Sequence, residues 1–180
     1  TSEPLYLPLV LHDYARDVPP SGGNLISNGD FEAGQPPDPW VPYTSETEFL
    51  VVDGAGYDGS WGAALGGENA EQDYVEQAFA VSGGATEATL SFHWRLTSQD
   101  MTLTPYDHFL VTLRNSSGDL VQTVFEGDNT DERGMWFSEE IAVDLAPYVG
   151  QTLRLRLEAQ TDTSLPTTFF ADDVSLFPGN

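Results

Sequence analysis

Leu90-Ser91-Phe92-His93-Trp94-Arg95-Leu96 alternates apolar and polar residues without a break. A period of two marks a strand with one buried face, because successive side chains of an extended backbone point to opposite sides. On this reading Trp94 joins Phe92 and Leu96 in a core, while His93 and Arg95 point outward. Phe109-Leu110-Val111-Thr112-Leu113-Arg114 and Leu153-Arg154-Leu155-Arg156-Leu157-Glu158 follow the same rule, as does Phe170-Ala171-Asp172-Asp173-Val174-Ser175-Leu176. Weaker strand candidates span 47–53, 60–65, 74–81, 120–125 and 135–143, separated by turn signals such as Asn115-Ser116-Ser117-Gly118-Asp119 and Gly127-Asp128-Asn129. Helical periodicity is almost absent. Many short strands at fairly regular spacing predict an all-β protein, an antiparallel β-sandwich.

The chain has 180 residues, enough for one domain with a sizeable core. Residues 1–13 read as a separate apolar segment, 14–23 as a linker, and 24–180 as the β domain. Six Arg and no Lys stand against 29 Asp and Glu, a net charge of −23. Such a balance excludes bare nucleic acid as a partner, since neutralising phosphates takes basic residues in quantity. It suits solubility outside the cell, cation binding or a basic partner. Without cysteine there is no disulfide framework, thiolate metal site or Cys nucleophile. No run approaches the ~18 consecutive apolar residues of a membrane helix. Thr1 in place of Met fits removal of an export signal, which predicts an extracellular or cell-surface location.

Asn24-Leu25-Ile26-Ser27-Asn28-Gly29-Asp30-Phe31-Glu32-Ala33-Gly34, then Trp40, and at the far end Phe169-Phe170-Ala171-Asp172-Asp173-Val174-Ser175-Leu176, bracket the domain. This bracket resembles the jelly rolls of bacterial carbohydrate-binding modules and MAM-like domains, the galactose-binding-like domains of secreted and cell-surface proteins. Asp58 to Gly67, Tyr106 to Val111 and Asp144 to Thr152 resemble interior segments of the same domains, and the likeness covers about residues 24–177. It implies a jelly roll in which the first and last strands meet around a structural calcium ion (Ca2+). The ligands it implies are Glu32 and Asp172 by side chain, Asp30 by carbonyl or carboxylate, and a backbone carbonyl near Ser60. Calcium takes six to eight hard oxygen ligands, which an acidic chain supplies. Alternation places Asp172 on one face with Phe170, Val174 and Leu176, read as the core face, where a carboxylate needs a cation or hydrogen bonds. The alternative is a metal-free Asp172 that accepts backbone hydrogen bonds.

Sugar rings stack on exposed flat side chains flanked by polar groups. Trp94 reads as core and Trp40 as structural, leaving Trp61, Tyr106 and Trp136 as candidate ligand-binding platforms, with nothing in their spacing to align them. Catalysis is not expected. No GxSxG elbow, HExxH helix or phosphate loop is present, and His93 and His108, read as outward and as neighbours, lack a third zinc ligand. Arg95, Arg114, Arg154 and Arg156 fall at outward strand positions and read as one sheet surface, either making local ion pairs or facing the acidic surface of another copy.

Leu5, Leu7, Leu9 and Leu11 alternate through an apolar run placed before the linker. Left in water, each leucine forgoes about 1.5–3 kcal/mol of burial, so the segment needs a receiver. Pro8 confines such a strand to an edge. An extended 14–23 linker reaches about 30 Å, which allows packing in the same domain or β-strand addition to a neighbour. The second option is heterologous and generates filaments unless it closes into a ring. The first expectation is therefore a non-catalytic extracellular subunit, a homopolymer forming a fibre or surface layer through this donor strand. The alternative is a calcium-stabilised carbohydrate-binding module whose partner is a glycan.

Overall fold

The computed structural model describes residues 23–46, 48–84 and 86–179. The donor-strand residues Leu5, Leu7, Leu9 and Leu11 lie outside them. The strands are β1 (Val41–Thr44), β2 (Val51–Asp53), β3 (Trp61–Gly66), β4 (Gln72–Ala80) and β5 (Glu87–Ser98), followed by β6 (His108–Asn115), β7 (Leu120–Asp128), β8 (Phe137–Asp144), β9 (Thr152–Gln160) and β10 (Thr167–Pro178). A 3₁₀ turn, Ala146–Tyr148, precedes β9, and there is no α-helix among the described residues. No helix there is long and apolar enough to cross a membrane.

The strands form two five-stranded antiparallel sheets, ordered β1-β4-β9-β6-β7 and β2-β3-β10-β5-β8. The expected sandwich is present. β5 shows why it forms: Ala88, Leu90, Phe92, Trp94 and Leu96 are buried while the residues between them are not. Between the sheets Trp94 stacks on Phe109, and Phe109 on Phe169, with ring centroids 5.8 and 5.7 Å apart. Such offset aromatic packing adds to the area it buries.

The opening motif is tied to the last strand. Leu25 N–H donates to Leu176 O, Leu176 N–H to Asn24 Oδ1, and Val174 N–H to Gly29 O. A Cβ at Gly29 would run into the Val174 carbonyl, so only glycine allows this approach. Trp40 packs on Phe31 and donates its indole N–H to Asn28 O at 2.8 Å, the structural role expected of it.

Three sequence expectations are corrected here. Strand β10 does not alternate throughout: Asp172 pairs with His93 but Ser175 pairs with Ser91, so an extra residue bulges out between them. Phe169 and Ala171 therefore face the core, and Phe170 and Asp172 face outward with His93. Asp172 is buried because the 54–61 segment lies over it, with Tyr57 N–H donating to its Oδ2 at 2.6 Å. Second, His93 and His108 stand on different sheets and are not neighbours. Third, Arg95 belongs to the β5 sheet, apart from Arg114, Arg154 and Arg156 on β6 and β9.

Candidate functional site

The outer face of the β1-β4-β9-β6-β7 sheet carries a dense polar array. Antiparallel register aligns its outward residues in rows across the strands. Tyr43, Tyr74, Glu158, Leu110 and Glu126 form one row, and Val41, Glu76, Arg156 and Thr112 the next. Ala78, Arg154 and Arg114 follow, and at the opposite end lie Gln72, Gln160 and His108. Every second residue of Leu153 to Glu158 projects to this face, as its alternation predicted.

The three arginines are held by two buried glutamates. Glu76 receives Arg156 through Nε at 2.9 Å and Nη2 at 2.7 Å, and Arg154 from the other side. Glu158 receives Arg114 Nη2 at 3.1 Å, and its second oxygen accepts the amides of Gln72 and Gln160 at 2.6 and 2.7 Å. Burial pushes the Glu76 carboxyl up, but the hydrogen bonds and charges of Arg156 and Arg154 outweigh it and hold the group below its ordinary value. These are the local ion pairs anticipated for the arginines. They fix the side chains in place, yet Thr112 Oγ1 and Arg114 Nε remain buried without a partner.

Beside this network the Arg156 guanidinium sits 3.6 Å from the centre of the Tyr74 ring, and Tyr43 stacks on the opposite side of Tyr74, 4.8 Å away and 12° from parallel. Tyr74 thus has both faces occupied. Tyr43, on the edge strand β1 and 47% exposed, keeps one. Sequence reading missed this pair because Val41-Pro42-Tyr43-Thr44 is too short to show alternation. Tyr74 shares the period of Glu76, which was a usable signal.

Trp61, Tyr106 and Trp136 are not brought together. Trp61 opens β3 and packs over Gly34, Tyr106 lies exposed in the loop before β6, and Trp136 stands just before β8 against Arg95, 5.0 Å from ring centre to guanidinium. Trp136 does join a smaller cluster on the opposite sheet, where Tyr57 stacks on His93 at 3.8 Å and meets Trp136 edge-on.

Of the residues expected to hold calcium, Glu32 and Asp172 both meet the 54–61 segment. Glu32 Oε1 accepts Trp61 N–H at 2.8 Å, and a Cβ on Gly59 would overlap that carboxylate. Asp172 accepts Tyr57 N–H and Asp173 N–H. Burial, and then the charges of Asp173 and Glu32, raise Asp172 to about 6 against the pull of those two hydrogen bonds. The Ser60 carbonyl is engaged by Gly54 N–H at 2.6 Å, and Asp30 is exposed at the surface. All are hard oxygen donors with lone pairs to spare, which fits calcium.

No family model matches the chain, and no curated protein matches it. Solved structures do. A family 61 carbohydrate-binding module, TmCBM61 in complex with β-1,4-galactotriose, aligns with a TM-score of 0.62 at 15% identity, over 87% of this chain and 99% of that one. A family 16 carbohydrate-binding module aligns at 0.57 and 24% identity, over 85% and 99%. The K3 cleaved adhesin domain of Lys-gingipain from Porphyromonas gingivalis aligns at 0.59 and 15%, over 87% and 100%. The chain has the jelly-roll fold of carbohydrate-binding modules.

Proposed function

We propose that this domain is a non-catalytic carbohydrate-binding module of an extracellular or cell-surface protein, and that it binds glycan on the outer face of the β1-β4-β9-β6-β7 sheet. The observation that carries this reading is the Tyr43–Tyr74–Arg156 stack beside fixed guanidinium and carboxylate groups. A pyranose presents an apolar face to an aromatic ring and hydroxyls at its rim, and a site for it joins those two chemistries. Side chains already held by ion pairs lose little freedom when a ligand arrives. The fold supports the reading, because the similar domains include one in complex with a galactotriose. The similar solved domains favour the glycan-binding alternative over the fibre expectation, whose donor-strand residues lie outside the described residues.

Affinity electrophoresis through gels containing galactan, xylan, mannan or β-glucan tests it. At least one polysaccharide should retard the protein, and Tyr43→Ala should weaken that binding about tenfold, the loss of roughly 1.4 kcal/mol. Failure with every polysaccharide would overturn the proposal. Binding lost in Trp136→Ala but retained in Tyr43→Ala would move the site to the opposite sheet.

Calcium between Glu32 and Asp172, with Asp30 and the Ser60 carbonyl nearby, is proposed as a separate stabilising feature. It rests on the burial of Asp172 among other carboxylates. A melting midpoint that rises with calcium and does not rise in Asp172→Asn supports it; a midpoint indifferent to chelator removes it.

A further inference from the structure

A second group of carboxylates lies at a different place in the fold. Glu48 is in the β1–β2 connection, Glu71 ends the β3–β4 connection, and Asp73 is the second residue of β4. Asp73 shares the inward side of β4 with Val75 and Phe79, so a charged group stands where the strand's period calls for an apolar one. One oxygen from each of the three carboxylates lies within 4.8 Å of the other two, the one such convergence among the described residues.

Two of the three are deeply buried: Glu71 is 3% exposed and Asp73 0%. Each spends one oxygen on a backbone N–H. Gly66 N–H donates to Asp73 Oδ2 at 2.9 Å, and Glu68 N–H to Glu71 Oε2 at 3.1 Å. The other oxygens, Asp73 Oδ1 and Glu71 Oε1, are buried without a well-formed hydrogen bond, although the Thr44 hydroxyl and Ser45 N–H beside Asp73 offset part of its burial. No ion pair among the described residues reaches any of the three. Buried unpartnered carboxylates are costly, and buried polar groups in native proteins are nearly always satisfied. Either protons or a cation must compensate them.

We propose that Glu48, Glu71 and Asp73 form a calcium-binding site, separate from the Glu32–Asp172 pair. The donor set is all carboxylate oxygen, which selects a hard cation over zinc or copper. Calcium accepts irregular, carboxylate-rich shells, whereas magnesium demands an octahedron and keeps most of its waters. Glu48 is exposed and lines an open cavity with Glu46, Glu68 and Asn69, so it provides the route in and room for completing waters. Burial, and next the charge of Asp73, raises Glu71 to about 7, and burial raises Glu48 and Asp73 too. A bound cation reverses that pressure.

The test is calcium binding to the chelator-treated full chain at about pH 7.5, by native mass spectrometry for stoichiometry and calorimetry for affinity. Glu48→Gln alters an exposed side chain and leaves folding intact; Asp73→Asn keeps an acceptor for Gly66 N–H. Each should bind one calcium fewer than the unaltered protein, or bind at one site at least tenfold more weakly, while Glu32→Gln retains this site. In chelator Asp73→Asn should melt no lower than the unaltered protein, and its calcium-dependent increment should shrink. Unchanged stoichiometry and affinity in Glu48→Gln would overturn the proposal. So would loss of all calcium in Glu32→Gln, and so would magnesium binding as tightly as calcium.

Discussion

Arg156 and Arg154 reach the same glutamate, yet they are unequal. The Arg156 side chain is 11% exposed and grips Glu76 through two nitrogens while lying on Tyr74; that of Arg154 is 39% exposed and joins Glu76 through one. Removing one partner of a buried pair leaves the other charge uncompensated, at about 3–5 kcal/mol, whereas an exposed ion pair contributes about 0–1 kcal/mol. Arg156→Ala should therefore lower stability in urea by about 3 kcal/mol and Arg154→Ala by less than about 1 kcal/mol. Equal losses would mean that Glu76 is satisfied by either arginine alone. Because Arg156 also backs the Tyr74 ring, its loss should disturb the platform on which the proposed glycan site rests.

At the scale of the element, the β10 bulge decides what surrounds the carboxylates. Asp173 occupies it with φ +52°, and its carboxylate faces His93 Nδ1 at 3.5 Å. A left-handed backbone suits Gly, Asn and Asp but not a β-branched residue. Asp173→Val should lower stability by about 1–3 kcal/mol and Asp173→Asn by less than about 1 kcal/mol, read from denaturant midpoints. Equal effects would show that the backbone there is unstrained. This bulge also marks the limit of legibility. Strict alternation in Leu90 to Leu96 and Leu153 to Glu158 revealed two sheets' worth of strands and the outward arginines, because nothing interrupts the period there. In Phe170 to Leu176 the same rule gave the wrong parity, since one inserted residue shifts every side chain before it to the other face. Which strands share a sheet is set by long-range pairing that periodicity does not encode. Hence Arg95 was grouped with arginines of the opposite sheet, and Tyr43 was not found. Asp73 fell outside the strand read over 74–81, although its spacing to Val75 and Phe79 carries the inward period; its meeting with Glu48 and Glu71 has no sequence signal, because three separate segments bring them together.

Across the whole molecule, a net charge of −23 makes the treatment of each buried acid a matter of stability. Arginines compensate Glu76 and Glu158, and hydrogen-bond donors such as Thr102 N–H and Asp162 N–H serve Asp100 and Asp107. Glu71 and Asp172 are left raised, to about 7 and about 6 from ordinary values of 4.5 and 3.8, chiefly by burial. A carboxyl whose folded value exceeds its unfolded one favours the fold most when protonated in both states, and that contribution is lost as pH rises through the folded value. Glu76, held low, acts in the opposite sense: its contribution is full above the unfolded value and lost as pH falls through the folded one. In chelator, then, the melting midpoint should climb as pH falls from about 8 to about 5, and drop again only in stronger acid. Each tenfold change in an ionisation constant is about 1.4 kcal/mol, and about 1 kcal/mol moves the midpoint of a domain this size by roughly 2–4 °C, so the climb should span several degrees. With calcium in excess the climb should flatten or reverse, since the cation binds the ionised carboxylates and competes with protons for them. Calorimetric melting at stepped pH, with and without calcium, measures both. A midpoint in chelator that falls steadily from about pH 8 to about pH 5 would mean that Glu71 and Asp172 are not the acids that set the stability of this fold.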